Sequence, residues 1–362
     1  MPQTGNRVII CTYEDRPTDL VGLQLLVASL GRHVPGVPIH VACPAPGEAL
    51  ARWLRARPGV TLDESRDDRL RGWNVKAGLL RRLLDAGHDD VLWIDADVIV
   101  TGDFRPLIPD ATTLVATEEL CANGPKENRQ RTEGWNLPVG RALPALVNSA
   151  FLRVTPAHRP LLDAWIELLR TPAYEQAQRI PFEQRPPHMI SDQDVLSALL
   201  GARDFAELPV KFIARGREII HDISGGYTPV DRVANVFRPM PPLVHAQGYK
   251  PWRYPDAPSP LREPSRWYRF TQVDCSPYPH IARQYRDELA AFPSYLEVRS
   301  LPGKLLRAMT FDNMHLHGLA YAAVDGAARR LHRGRLLARR AVGRAKQLLG
   351  RGRDQKNAIS ST

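Results

Sequence analysis

Asp95 and Asp97 stand one residue apart in LWIDADVIV (residues 92–100), a run that is otherwise apolar. Two like charges among apolar neighbours are costly unless something compensates them. Three chemistries answer that cost. A divalent cation would bind both carboxylates, or the aspartates would cap the next turn. In the third, Asp95 would be the covalent nucleophile of a phosphatase-type DxDx(T/V) signature, which DADVI nearly matches. The phosphatase reading also needs a downstream Lys and a paired acidic motif on a strand end, and no convincing set follows residue 100. On a strand, residues i and i+2 point to one side, so the two carboxylates converge. At the carboxyl end of a parallel strand they would hold a cation beneath a phosphate, where open α/β sheets bind ligands.

A second stretch, VHAQGYKPW (residues 244–252), carries the complementary groups. His245 leaves an apolar strand where an imidazole would complete a metal site, and Gly248 allows backbone to approach a phosphate closely. Lys250 supplies a point charge, and Pro251 and Trp252 stiffen the turn. Taken in order, DAD (95–97), NSA (148–150), DQD (192–194) and HAQGYKPW (245–252) resemble the motifs of the family 8 glycosyltransferases. These are retaining enzymes of GT-A fold that use nucleotide-sugar donors, and their DxD, NSG-like strand, DQD and HxxGxxKPW elements follow the same order. The resemblance spans roughly residues 7–254, and the last motif matches at every defined position.

The resemblance implies a site. Asp95, Asp97 and His245 would hold Mn²⁺, with Mg²⁺ the second choice because mixed carboxylate and imidazole ligation suits manganese better. Asp95 would also touch the ribose, Ala96 joins the donor-binding set, and Gly248 and Lys250 would contact the diphosphate. Asn148, Asp192 and Gln193 would face the sugar. Gln193 would lie beside the anomeric carbon, where a glutamine positions or stabilises an oxocarbenium-like state better than it attacks. Thr12, Tyr13 and Asp15, at the end of the first strand, would meet the nucleotide, Tyr13 by stacking on the base. Their TYEDR wording departs from the family's ADDNY, which leaves the base unspecified. Lys76 would stand near the phosphates or, equally well, on a solvated helix face. Ala150, in place of the family's glycine, would narrow the space beside the sugar. The polar stretch from Cys121 to Gly140, with Glu127, Arg129 and Trp135, reads as a loop, a candidate lid and acceptor surface.

The elements that must position these residues follow an α/β rhythm. RVIICT (7–12) reads as strand one, with Thr18 capping a helix to about Leu30. VPIHVAC (37–43) and VTLDE read as strands around a helix over GEALARWLRAR. A helix from about Leu70 to Ala86 leads into DVLWIDADVIV, read as a single strand. TTLVATEE and ALVNSAFLRV read as further strands, and RPLLDAWIELLR and SDQDVLSALLG as helices. Proline-dense stretches near 172–187 and 239–264 read as irregular. Neither GxGxxG nor GxxxxGK(S/T) occurs, so ordinary dinucleotide and P-loop readings lose support. The expected architecture is α/β, a GT-A (Rossmann-like), mixed but mostly parallel sheet flanked by helices. It divides into a catalytic domain at 1–255, an irregular or helical extension at 256–300 and a basic tail at 301–362.

The 362 residues carry a net charge of +10, all of it in that tail, where 13 Lys and Arg face 3 Asp and Glu. From Ala327 to Leu349, Leu331, Ala338, Val342, Ala345 and Leu349 fall on a helical face opposite Arg329, Arg333 and Arg340, a pattern that Leu336 and Arg330 violate and Gly334 and Gly343 weaken. Such a segment suits an anionic membrane surface. It lacks aromatic residues to stack bases, so no nucleic-acid partner is expected. The four cysteines lack metal or disulfide spacing. The first residues lack a signal-peptide pattern, and no apolar run is long enough to cross a bilayer. The expected location is cytoplasmic, at the periphery of the inner membrane face. The expected partners are a nucleotide-sugar donor and a glycan or lipid-linked acceptor. A different class of reading is a non-catalytic adaptor that keeps the fold and works through its tail.

Overall fold

The computed structural model describes residues 8–65, 70–120, 123–222, 226–248, 250–253, 275–289, 301–320, 322–323 and 327. The amphipathic tail expected to run from Ala327 to Leu349, and Cys121, lie outside these residues apart from Ala327. The strands are β1 (Val8–Tyr13), β2 (Ile39–Ala42), β3 (Val60–Asp63), β4 (Asp90–Ile94), β5 (Val98–Val100), β6 (Leu114–Glu118), β7 (Val147–Val154), β8 (Val210–Ile213), β9 (Ile219–His221) and β10 (Leu243–His245). The helices are α1 (Leu20–His33), α2 (Gly47–Arg55), α3 (Val75–Asp85), α4 (Gly124–Gly134), α5 (Arg159–Leu169), α6 (Pro172–Gln178), α7 (Asp192–Gly201), α8 (Pro229–Val236), α9 (Pro277–Ala282), α10 (Leu301–Met309) and α11 (Met314–His317).

Seven strands form one sheet in the order β3-β2-β1-β4-β7-β6-β8, and β5-β10-β9 form a second. In the large sheet only β7 runs against its neighbours, so it is a mixed, mostly parallel α/β sheet, as the alternating pattern predicts. Helices cover both faces. Leu79, Leu83, Trp165 and Leu196 of α3, α5 and α7 bury one face. Leu23, Leu26 and Leu30 of α1 and Leu50 and Leu54 of α2 bury the other. Helix α1 also turns Leu25 and Ala28 toward Ile99 and Val244 of the small sheet and Tyr278 and Tyr285 beyond it, so it is buried on nearly every side. No helix among the described residues is long and apolar enough to cross a membrane.

Several expectations change. DVLWIDADVIV is two strands in two sheets, because the chain turns at Asp95–Asp97 and Val98 N–H donates to the Asp95 carbonyl at 3.0 Å. Thr18 caps nothing. A turn of 3-10 helix at Pro17–Asp19 precedes α1, and Asp19 at the cap position spends its carboxylate elsewhere. The helix expected from Leu70 begins as a 3-10 turn at Gly72–Asn74 and becomes α-helical only at Val75. The proline-dense region at 172–187 opens with α6, where Pro172 takes the first-turn position that tolerates a missing N–H and Thr171 caps the Tyr174 amide.

Candidate functional site

The parallel strands β1, β4 and β6 end at one edge of the large sheet, and the chain there supplies Tyr13, Asp95 and Glu118 with Glu119. Strand β7 runs the other way, so it brings Asn148, near its start, to the same edge. The turn at Asp95–Asp97 then carries the chain into the small sheet. Asp95 N–H still donates to the Ala150 carbonyl of the large sheet at 2.8 Å, while Ala246 N–H donates to the Asp97 carbonyl at 3.0 Å. Strand register does the rest. Val98 lies opposite His245, so the imidazole arrives beside Asp97. Convergence of the two aspartates thus comes from a turn between sheets, not from i, i+2 alternation on a strand.

Asp95, Asp97 and His245 each offer a ligand atom within 4.8 Å of the others. Donors on an ion with bonds of about 2.1 Å lie roughly 3 to 4.3 Å apart, so this set fits a divalent cation after a small contraction. The chemistry agrees with the geometry. Burial pushes the His245 imidazolium down to about 4, so at neutral pH the ring is neutral and has a lone pair to give. Its Nε2 lies 3.3 Å from Asp97 Oδ1. Lys250 Nζ contacts the Asp97 carboxylate and donates to the Ala246 carbonyl at 2.8 Å, so its charge rests on one of the three candidate ligands. Burial, helped by Arg16, pulls Lys250 down to about 8.

Lys76 is buried at 5% exposure in the first turn of α3, which decides against a solvated helix face. Its Nζ lies 3.0 Å from Asp95, 2.6 Å from Ser149 Oγ and 3.7 Å from Asp192. Burial disfavours its charge, but the two carboxylates override this and raise its pKa. Burial likewise works against Asp95, yet Lys76 holds that carboxyl below its ordinary value. Asp192 goes the other way. Burial, with Asp95 adding like charge against the pull of Lys76, pushes it up to about 6.

Beside this charged cluster lies a group of amides that share one acceptor. Asn148 Nδ2 and Gln193 Nε2 each donate to Glu119 Oε2 at 2.8 Å, and Gln247 Nε2 donates to both Glu119 oxygens at 2.9 Å. Gln193 Oε1 in turn accepts from Ser149 N–H at 3.3 Å. A β-bulge makes this possible. Between Ala116 and Thr117 the pairing of β6 with β7 jumps from Leu152 to Asn148, which leaves residues 149–151 unpaired on that side. Ser149 then turns to Lys76 and Asp192, and Thr117 Oγ1 donates to the Asn148 carbonyl at 2.5 Å. Ala150 is buried in the apolar cluster with Val98 and Phe151, so its methyl fills core and does not narrow the cleft as expected.

The end of β1 is held differently from the expectation. Thr12 is fully buried, and its hydroxyl makes no hydrogen bond among the described residues. Tyr13 hydroxyl donates to Asp15 at 3.0 Å, so those two residues engage each other at the strand end. Buried Glu14 receives Arg16 through both carboxylate oxygens at 2.8 and 2.7 Å. Asp19 accepts from Trp252 Nε1 at 2.9 Å and from Arg253 Nε and Nη2 at 2.9 and 2.6 Å. This staple fixes the Lys-Pro-Trp segment over the site. Gly22 lets it close, because a Cβ there would lie 2.9 Å from both the Ala96 carbonyl and the Trp252 ring. Gly248, at φ +78°, holds the left-handed turn before Lys250.

The stretch expected to be a lid loop is largely helix α4, capped by Asn123, whose side chain accepts from Lys126 N–H at 3.2 Å. Its buried Asn128, Arg131 and Thr132 pack on α7, with Arg131 donating to Asp194 at 2.7 Å. Glu127 accepts from Asn123 N–H, Arg129 pairs with Glu133 on the surface, and Trp135 donates to the His188 carbonyl beside Tyr174. Glu127 and Arg129 are thus fastened to α4 itself, and Trp135 ties its end to the segment around His188. Glu119, Gln247 and His221 were not singled out from sequence. Gln247 sits inside the HAQG stretch and Glu119 at a strand end beside the site, and those positions were their available signals.

No protein-family model matches the sequence, and no curated protein matches it. Among solved structures the chain is similar to the galactosyltransferase LgtC in complex with donor and acceptor sugar analogs, with a TM-score of 0.46 and 18% identity over 78% of this chain and 100% of that one. It is similar to an active-site mutant of LgtC, with a TM-score of 0.44 and 17% identity over 72% and 99% of the two chains. It is also similar to the bifunctional glycosyltransferase WbbM in its apo form, with a TM-score of 0.44 and 14% identity over 70% of this chain and 48% of that one. At these levels of likeness the site is read from its own side chains.

Proposed function

We propose that the protein is a Mn²⁺-dependent, retaining glycosyltransferase that moves a sugar from a nucleotide-diphosphate donor, UDP-linked in the first instance, to a glycan or lipid-linked acceptor of a bacterial surface polysaccharide. The observation that carries this reading is the convergence of Asp95, Asp97 and neutral His245 from two sheets onto one point, with Lys250 at the same carboxylate. When bound, the cation supplies positive charge to the departing diphosphate. Lys250 adds a second positive charge there and Gly248 gives its backbone room, while Lys76 keeps Asp95 ionised and oriented. Tyr13, Asp15 and Ala96 would border the nucleotide, while Thr12, fully buried, would support the strand end behind them. Asn148, Asp192 and Gln193 would border the sugar. Both ends of the Gln193 amide are held, which supports a positioning and charge-stabilising role over attack on the anomeric carbon. The basic tail would hold the enzyme at the cytoplasmic membrane surface, close to a lipid-linked acceptor.

The test is a thermal-shift series with UDP-, GDP-, ADP- and CMP-sugars, with and without Mn²⁺. The UDP-sugar should raise the melting temperature only when Mn²⁺ is present, and Asp97→Asn and His245→Ala should each abolish the rise. Stabilisation by the sugar nucleotide that ignores both Mn²⁺ and these substitutions would remove the cation from the site.

A further inference from the structure

His221 is a buried histidine that the motifs leave without a role. It belongs to β9, and its parallel partner on β10 is His245, so register alone sets the two rings side by side. Their Nδ1 atoms are 3.0 Å apart, and the rings meet edge to face with centroids 5.2 Å apart. The other nitrogen of His221, Nε2, lies 3.0 Å from the backbone carbonyl of Glu118, at the end of β6. Both residues are buried, His221 being 0% exposed and His245 4%.

Proton positions follow from these contacts. A carbonyl oxygen only accepts, so His221 Nε2 carries the hydrogen. Among the described residues His221 pairs with no carboxylate, and such a buried ring stays neutral, which leaves His221 Nδ1 with a lone pair. The hydrogen between the two rings therefore sits on His245 Nδ1, which leaves Nε2, 3.3 Å from Asp97, as the nitrogen that would give its lone pair to a cation. We propose that His221 is a positioning residue, fixing His245 in the tautomer whose Nε2 lone pair faces Asp95 and Asp97 and thereby setting the centre's affinity for a divalent cation. Cation binding by that centre is taken from the function proposed above.

Histidine ligands commonly donate their second nitrogen to a carboxylate or a carbonyl, and losing that outer partner costs roughly 10- to 100-fold in metal affinity. Here the outer partner is a second imidazole that passes the contact on to a carbonyl. The relay adds no negative charge behind His245. It also ties the small sheet, through Glu118, to the strand that presents Glu119.

The full-length protein, labelled with ¹⁵N-histidine and free of metal, should show His245 protonated at Nδ1 and His221 at Nε2. Mn²⁺ binding in the presence of UDP, followed by electron paramagnetic resonance, should weaken roughly 10- to 100-fold in His221→Phe. His221→Gln, whose amide can accept from His245 and donate onward, should stay within about 3-fold of the parent protein. A His245 Nδ1 without a proton, or Mn²⁺ affinity unchanged in a folded His221→Phe, would overturn the assignment. Should His221→Phe not fold, the parent tautomer and the His221→Gln affinity decide it. A parent protein that binds no Mn²⁺ would instead sink the reading of the site, while the tautomer still tells whether His221 positions His245.

Discussion

At the scale of single residues, the groups with motif spacing were legible and their keepers were not. Asp95, Asp97 and His245 announce themselves because carboxylates in an apolar run need an explanation. Glu119 looks like any strand-end acid until its neighbours are known. In the fold it is the acceptor shared by Asn148, Gln193 and Gln247, so its chemistry is set by three residues scattered over about 100 positions. That arrangement makes a sharp prediction. Glu119→Gln keeps the shape but turns one accepting oxygen into an NH₂ donor, which cannot receive an amide N–H. Transfer should fall about 10- to 100-fold in kcat, since hydrogen bonds to a charged group contribute about 1.5–3 kcal/mol each. The Mn²⁺ affinity should change far less, because Glu119 holds the amides and not the proposed cation ligands. Steady-state kinetics beside a metal titration separate the two, and equal loss in both would contradict this division of labour.

At the scale of elements, the outcome turned on what each interface is made of. The parallel strands and helices α1, α3, α5 and α7 were legible because their buried faces are apolar and periodic. Helix α4 was not, because the face it buries is Asn128, Arg131 and Thr132, which meet α7 through hydrogen bonds and an ion pair. A polar helix packed on a polar seam looks like a loop to any hydrophobic pattern. The split of DVLWIDADVIV into β4 and β5 was hidden for the opposite reason: both strands are apolar, and only the turn between them changes sheet. Helix α1 fixes that turn through Gly22, and here an element-scale prediction belongs. Gly22→Ala gains helix propensity, about 1 kcal/mol in an open helix. Here its methyl would lie 2.9 Å from the Ala96 carbonyl and from the Trp252 ring, so the helix must move off the Asp95–Asp97 turn. The variant should be less stable in urea unfolding and weaker for Mn²⁺. A variant more stable than the parent, with unchanged Mn²⁺ affinity, would show that the turn does not depend on this contact.

At the scale of the whole molecule, the alternating pattern foresaw an α/β protein, and the charge distribution a neutral body with a basic end. It did not foresee the second sheet. Three strands of three residues each give no periodicity to read, and their pairing joins positions about 145 residues apart. Composition was equally silent about how many histidines are buried, and that number controls the response to acid. His158 sits behind β7, where its Nδ1 accepts from Thr155 N–H at 2.9 Å. His315 contacts the Tyr227 hydroxyl, and His317 Nε2 lies 3.3 Å from the Gly303 carbonyl. Burial pushes each of the three down to about 4 from an ordinary value of 6.5. A depressed histidine adds stability that is complete above pH 6.5. As the pH falls toward 4 the unfolded chain takes up protons that the folded protein refuses, and that stability drains away. Each shift corresponds to roughly 3 kcal/mol at most, so the three together rival the whole stability of an ordinary domain. The urea midpoint should therefore fall steeply between pH 6.5 and 4, and His158→Gln should flatten part of the slope while costing some stability at pH 7. A midpoint constant across that window would mean that the three rings accept protons without leaving the fold.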